Sequence, residues 1–264
     1  MLPDPPPMTK PPDSGQAPAL GQIAERVEQI AARNERLLER MIEGEKRFRG
    51  LAKSVWKVQE EERRRLAREL HDGIGQTLTA LINQLHRLKP GDAADRGLEA
   101  AIAVAELALK DVRDLSRLLR PPVLDDLGLR AGVTWLARSL REHSELQTSI
   151  DWQADEGERL DPELETLVFR IAQEGLNNVV KHSGQQQAQL IVRRHAGNFE
   201  LEIADEGRGF DVARVLGPAG DTTGLGLRGI RDRIELFGGR LAMESTPGRG
   251  SRLRVVVPVA EAST

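Results

Sequence analysis

The chain has no cysteine and no tyrosine, and aromatic residues make up only 3% of its 264 residues. Without cysteine there is no disulfide, no thiolate metal site and no cysteine nucleophile. A core this poor in aromatics has to be built from Leu, Ile, Val and Ala. No apolar run approaches the ~20 residues of a membrane-spanning helix. The opening MLPDPPPMTKPPDSGQAPAL lacks the positive-then-apolar order of a secretory signal. Together with the missing cysteines, these features place the chain in the cytoplasm. An excess of one charge is also missing. The formal net charge is −3, with acidic and basic residues interleaved, so there is no basic footprint for nucleic acid. The length allows one or two domains with extensions.

What the sequence does have is periodicity. Residues 1–20 are Pro-rich and read as a disordered tail. From Ile23 the apolar positions run Val27, Ile30, Leu37, Met41, and later Phe48, Leu51, Val55 and Val58, with Asn34 on the same seam. This is the spacing of a coiled coil over 21–60, and a polar seam residue such as Asn34 fixes register. The pattern lapses through the charged run Glu60–Arg65. It resumes with Leu66, Leu70, Ile74, Leu78, Leu81, Leu85 and Leu88, and breaks at Pro90-Gly91. A second seam follows: Leu98, Ile102, Ala105, Leu109, Val112, Ser116 and Leu119, ended by Pro121-Pro122. A helical hairpin over 61–124 follows from this. One hairpin cannot cover both of its seams, so pairing of two chains into a four-helix bundle, a homodimer, is expected.

The remainder, 125–260, mixes helices (Leu129–His143, Asp161–His182, Ile230–Phe237) with strands (Gln147–Trp152, Ala188–Arg194, Phe199–Ala204, Arg240–Ser245, Ser251–Val257). That pattern predicts an α+β two-layer sandwich. A Gly-rich loop is expected between Gly207 and Gly229.

Several motifs carry chemistry. In Arg68-Glu69-Leu70-His71-Asp72-Gly73-Ile74-Gly75-Gln76 an imidazole sits beside a carboxylate, with an amide a few residues on. Histidine ordinarily titrates near neutrality, and a neighbouring carboxylate can fix its tautomer and take its proton. Gly73 and Gly75 are poor helix formers in mid-helix, each costing roughly 0.8–1 kcal/mol against Ala, and predict a helix that bends beside His71. Glu174, Asn178 and Lys181 fall on one helical face; carboxylate and amide oxygens suit Mg²⁺, and an ammonium suits phosphate. Asp205-Glu206-Gly207-Arg208-Gly209-Phe210 follows a strand, placing a carboxylate where it can accept from an exocyclic amine. Gly224-Leu225-Gly226-Leu227-Arg228-Gly229 opens a helix and suits phosphate. Although this is formally a dinucleotide fingerprint, no strand precedes it, which excludes that fold. A Walker-type loop is absent. The stretch between these last two motifs reads as a lid over a nucleotide.

Taken in order, these segments resemble the sensor histidine kinases of two-component systems, specifically the nitrate-sensor/degradation-regulating subfamily. ERRRLARELHDGIGQTLTALINQL resembles its dimerisation and phosphoacceptor helix, and LLRPPVLDDLGL its interdomain linker. QEGLNNVVKHSG, DEGRGF and GLGLRGIRDRIELFGG resemble the nucleotide boxes of the GHKL (Bergerat) ATP-binding fold. The resemblance implies a coiled coil and dimeric four-helix bundle followed by an α/β two-layer sandwich of that type. It implies His71 as phosphoacceptor, Asp72 as base, and Gln76 as the amide that orients water for dephosphorylating a response regulator. Asn178 would hold Mg²⁺ with Glu174 in support, and Lys181 with His182 would lie on the phosphate side of ATP. Asp205 would read the adenine amine in a pocket shaped by Gly207 and Gly209, while Gly224, Gly226 and Gly229 would seat the lid. The partners implied are a second copy and a receiver domain. Two other readings stay open at this point: a GHKL-type ATPase or serine kinase without phosphohistidine, and a non-catalytic coiled-coil scaffold.

Overall fold

The computed structural model describes residues 17–88, 95–154, 159–216 and 225–259. The chain divides into two units, Met1–Leu51 and Ala52–Thr264.

The first unit consists, among its described residues, of the leading part of α1 (Ala17–Glu69). The helix starts at Ala17, ahead of the expected boundary at residue 20, because Pro18 falls in the first turn, where a missing N–H costs nothing. Glu43–Arg47 and Glu45–Arg49 pair at 2.6 Å along its surface at i,i+4. The seam residues Val27, Ile30, Leu37, Met41 and Phe48 are all exposed.

The second unit begins with the rest of α1. At Leu70–Gly75 the winding changes to a π turn, followed by α2 (Gln76–Arg87) and α3 (Asp95–Leu119). The π turn covers His71 and both mid-helix glycines. The Thr77 and Thr79 hydroxyls donate to the Gly73 and Gly75 carbonyls at 2.9 and 2.8 Å, supplying partners where the regular ladder is disturbed. Within one chain α3 buries Ile102, Ala105, Leu109 and Ser116, whereas Leu66, Ile74 and Leu81 of the facing seam remain exposed. Ser116, the one polar member of the α3 seam, donates to the Ala67 carbonyl at 2.7 Å. That carbonyl lies one turn before His71.

α4 (Pro122–Ser144) follows directly, starting at Pro122 rather than at Leu129 as the pattern suggested. Its first turns are set off by Gly128, whose φ of +82° is open to glycine and strained for other residues. β1 (Gln147–Gln153), α5 (Pro162–Asn178), β2 (Gln187–His195), β3 (Asn198–Asp205), α6 (Val212–Leu216), α7 (Leu225–Leu236), β4 (Arg240–Ser245) and β5 (Ser251–Pro258) complete the fold. A second π turn, Val179–Ser183, ends α5. The five-stranded sheet runs β1-β2-β3-β5-β4; β1 and β2 are parallel across α5, and the other pairs are antiparallel.

α4, α5 and α7 cover one face of this sheet. Leu136, Phe169, Leu176, Leu190, Leu201, Ile230 and Ile234 are fully buried between the layers. The other face carries ion pairs, Arg254–Glu200 at 2.8 Å and Arg252–Glu202 at 3.2 Å, as a solvated face should. The expected loop from Gly207 to Gly229 is shorter than the pattern suggested, since α6 occupies part of it and α7 starts at Leu225 instead of Ile230. Leu227, Ile230 and Ile234 fall on one helical face and pack on the core. That burial outweighs the roughly 1 kcal/mol that each of Gly226 and Gly229 costs a helix. No helix of the described residues is long and apolar enough to cross a membrane.

Candidate nucleotide site and histidine helix

α5, the π turn after it, the end of β3 and α7 build most of the site. α5 starts cleanly: Asp161 caps it, accepting the Glu163 N–H at 2.9 Å, and Pro162 occupies the first turn. Its apolar face (Leu167, Ile171, Leu176) is buried on the sheet. Its opposite face brings Glu174 and Asn178 to the rim of a cavity of about 460 Å³, within the usual range for small-molecule sites. The π turn that follows carries Lys181 and His182 into the same lining. α7 closes the cavity from the other side with Gly226 and Leu227.

Asp205 stands at the end of β3, half-buried in this cavity. One of its oxygens accepts the Gly207 N–H at 2.8 Å and the other accepts the Ser251 hydroxyl at 2.5 Å. The carboxylate is held from both sides. Its four lone-pair directions leave capacity for a further donor such as an exocyclic amine. Gly209 has φ +58°, and a Cβ there would collide with the Thr246 carbonyl. The backbone amide of Arg208 donates to the Ser183 carbonyl at 2.8 Å, joining this loop to the π turn.

The residues present fit a nucleotide. The side-chain nitrogen of Asn178 is buried with no hydrogen-bond partner, and such orphans are rare unless a ligand or water completes them. A Cβ on Gly226 would strike the Glu174 carboxylate, so the helix start and the carboxylate meet only because that residue is glycine. No cluster of three His, Cys, Asp or Glu side chains able to hold a metal occurs among the described residues. Mg²⁺ does not require one, since it keeps several waters and bridges to substrate phosphates through one or two protein oxygens.

Glu174, Asn178, Lys181, His182, Asp205, Gly209 and Gly226 thus line a single cavity. Gly207 lies just outside it, holding Asp205. Gly229 is half-buried within α7, one turn in from Gly226, and is not part of the lining. Gly224 lies outside the described residues. The reading from sequence missed Phe210, Ile203, Met243, Leu253 and Ser251, which line the cavity. Only Ser251 left a usable signal, directly after the tight turn Gly248-Arg249-Gly250. His71, Asp72 and Gln76 are exposed on the helical hairpin, and no residue of α1, α2 or α3 lines the cavity.

The described residues thus combine a cavity on a mixed sheet with a helical hairpin that exposes a histidine. Residues 62–124 match the family model described as histidine kinase. Residues 163–261 match that of the histidine kinase-, DNA gyrase B- and HSP90-like ATPases. Sensor histidine kinase MctS of Rhizobium johnstonii is 38% identical over 221 residues, 80% of this chain and 46% of that protein. Signal transduction histidine-protein kinase/phosphatase UhpB of Salmonella typhimurium is 34% identical over 244 residues, covering 90% and 44%. The histidine kinase domain of the Erythrobacter litoralis EL346 blue-light activated histidine kinase aligns with a TM-score of 0.45 at 18% identity, over 70% of this chain and 94% of that one. The chain belongs to the sensor histidine kinase family. It spans just under half the length of the curated relatives it matches.

Proposed function

We propose that this chain is an ATP-dependent protein-histidine kinase that phosphorylates His71, passes the phosphoryl group to an aspartate of a response regulator, and also removes it. The observation that carries this reading is the single cavity shared by Glu174, Asn178, Lys181 and Asp205, with the buried Asn178 amide unpartnered, in a chain that exposes His71 beside Asp72. Its modules are the coiled coil of 21–60, the hairpin of 61–124 and the catalytic domain of 125–260.

Phosphoryl transfer depends on positioning and charge neutralisation more than on covalent help. Asp205 accepts the adenine amine. Lys181 and His182 would lie on the phosphate side, and Asn178 with Glu174 would hold Mg²⁺, which would supply charge neutralisation. A ring nitrogen of His71 attacks the γ-phosphorus as the bond to ADP breaks, and Asp72 accepts the proton lost from the other ring nitrogen. The phosphoramidate so formed is labile enough to pass its group to a carboxylate. Gln76, five residues past His71, orients water for the reverse task on the regulator. The bare seam of Leu66, Ile74 and Leu81 is covered by a second copy. A chain without cysteine that spends ATP and serves a receiver domain belongs in the cytoplasm.

The test is phosphotransfer from the labelled chain to a panel of purified receiver domains, with Asp205→Asn as control. The proposal expects transfer to at least one receiver aspartate, and weakened nucleotide binding with loss of labelling in Asp205→Asn. Labelling and nucleotide affinity unchanged in Asp205→Asn overturn it.

A further inference from the structure

The seam of α1 and α2 changes its step beside His71. Leu66, Leu70, Ile74 and Leu78 follow one another at four, four and four, after which Leu81, Leu85 and Leu88 return to three, four and three. A heptad seam alternates four with three, so this stretch carries one residue more than the alternation allows. A helix absorbs such a residue as a π turn, and the turn falls at Leu70–Gly75, around His71. Absorbing one residue turns the side chains beyond it by about 100° about the helix axis. Where it is absorbed therefore decides where His71 points.

Regular winding would stack His71 between Ala67 and Gly75, four residues to either side. Ala67 and Gly75 are both buried, whereas His71 is exposed. The ring has left a stripe that is buried at both ends. Downstream of the turn, the Thr77 and Thr79 hydroxyls hold the Gly73 and Gly75 carbonyls, bonds within one helix that fix nothing against its neighbour. Upstream, the hold comes from another helix. Ser116 on α3 is only 4% exposed, and its hydroxyl donates to the Ala67 carbonyl at 2.7 Å. In regular winding that carbonyl belongs to the His71 N–H; its two lone pairs let both donors share it. The seam around Ser116 is otherwise apolar, with Ile102, Ala105 and Leu109 buried. A hydroxyl is costly to bury there unless it is bonded, so this position is built around the bond.

Resting on the histidine-kinase reading, we infer that Ser116 is a positioning residue for phosphotransfer. Its hydroxyl anchors the last regular turn of α1 to α3, so that the extra residue is absorbed at His71 and the imidazole is carried out of the helix interface. Without the hydroxyl the turn is free to slide along the helix, and His71 rotates toward the buried stripe. Ser116 touches no reacting atom; it acts through the backbone that carries His71.

Ser116→Thr and Ser116→Val form the test, since both are β-branched and differ in the hydroxyl alone. In the full chain with saturating Mg²⁺ and γ-labelled ATP, Ser116→Val should label about tenfold more slowly than Ser116→Thr. Ser116→Thr should recover most of the parent rate. The KM for ATP and the nucleotide affinity should stay at parent values in both, because no residue of α3 lines the cavity. Amide NMR of glycine-labelled protein, recorded without nucleotide, should show the Gly73 and Gly75 signals displaced in Ser116→Val and kept in Ser116→Thr. Equal labelling rates in the two variants, or a raised KM for ATP that accounts for the slower rate, overturns the role. Gly73 and Gly75 signals that behave alike in both variants overturn it as well, since position 116 then serves packing only. A parent chain that never labels sinks the kinase reading, and the glycine signals still decide whether Ser116 anchors the turn.

Discussion

Gly175 sits inside α5 at its most consequential point, between Glu174 and Asn178. Replacing it by alanine sets two effects against each other. Alanine favours the helix by about 1 kcal/mol. Its methyl, however, would sit 2.5 Å from the Ile203 Cδ1 and 3.4 Å from a Leu253 methyl, both in the packed layer between α5 and the sheet. Overpacking of this kind costs about 1–3 kcal/mol. Packing wins, and Gly175→Ala should destabilise the domain by about 1 kcal/mol. Ile203→Val removes the atom that is struck and alone costs about 1 kcal/mol. The double variant regains helix propensity and fills the space left behind, so it should lie near the parent, a coupling of about 2 kcal/mol. Urea unfolding followed by tryptophan fluorescence and circular dichroism gives the cycle, and nucleotide titration of the same proteins shows whether the shift reaches the site. Should Gly175→Ala prove as stable as the parent or more so, the close fit of α5 on β3 is not what demands glycine.

Gly226→Ala should leave stability within about 0.5 kcal/mol, because the atom it meets is the mobile end of Glu174. Displacing that carboxylate should slow labelling by about tenfold; a thermal melt and a labelling time course on one preparation decide. Gln76→Ala should keep autophosphorylation while losing regulator dephosphorylation, and equal loss of both would contradict its assigned role. The two ring nitrogens of His143 face the Ser139 carbonyl at 2.8 Å and Asp114 on α3 at 3.1 Å, so the doubly protonated ring satisfies both. The backbone bond first, then Asp114, raises its pKa above the ordinary histidine value. With a raised folded-state value, this contact's contribution is fully present below pH ~6.5 and is lost as pH rises through the shifted pKa. Proton NMR titration of the His143 ring checks it, and a midpoint at or below the ordinary value refutes it.

Much of this molecule was legible in its sequence, because both of its organising patterns are local. The α3 seam keeps its period through Ile102, Ala105, Leu109 and Ser116, and all four are buried. Glu174, Asn178 and Lys181 share a helical face by spacing alone and line one cavity. What was hidden depends on partners distant in the chain. Trp56 falls off the heptad, so counting seam positions passes over it, yet it is the buried residue of its stretch. Glu60 looked like the start of a solvated charge run, and nothing local marks Arg170, 110 positions away, as its partner. The glycines beside His71 suggested a bend. The change of winding to a π turn relies on hydroxyl and helix contacts that propensity does not encode. The early start of α7 has the same origin: its glycines argue against a helix locally, and burial of Ile230 and Ile234 overrides them.

Every step of the proposed phosphotransfer passes through His71 as the acceptor of the γ-phosphoryl group of ATP. Incubating the full chain and His71→Gln with Mg²⁺ and γ-labelled ATP, then treating each with acid and with alkali, tests it directly. The parent should carry acid-labile, alkali-stable label and His71→Gln none, with nucleotide affinity equal in the two. Label that persists in His71→Gln, or that survives acid, contradicts it.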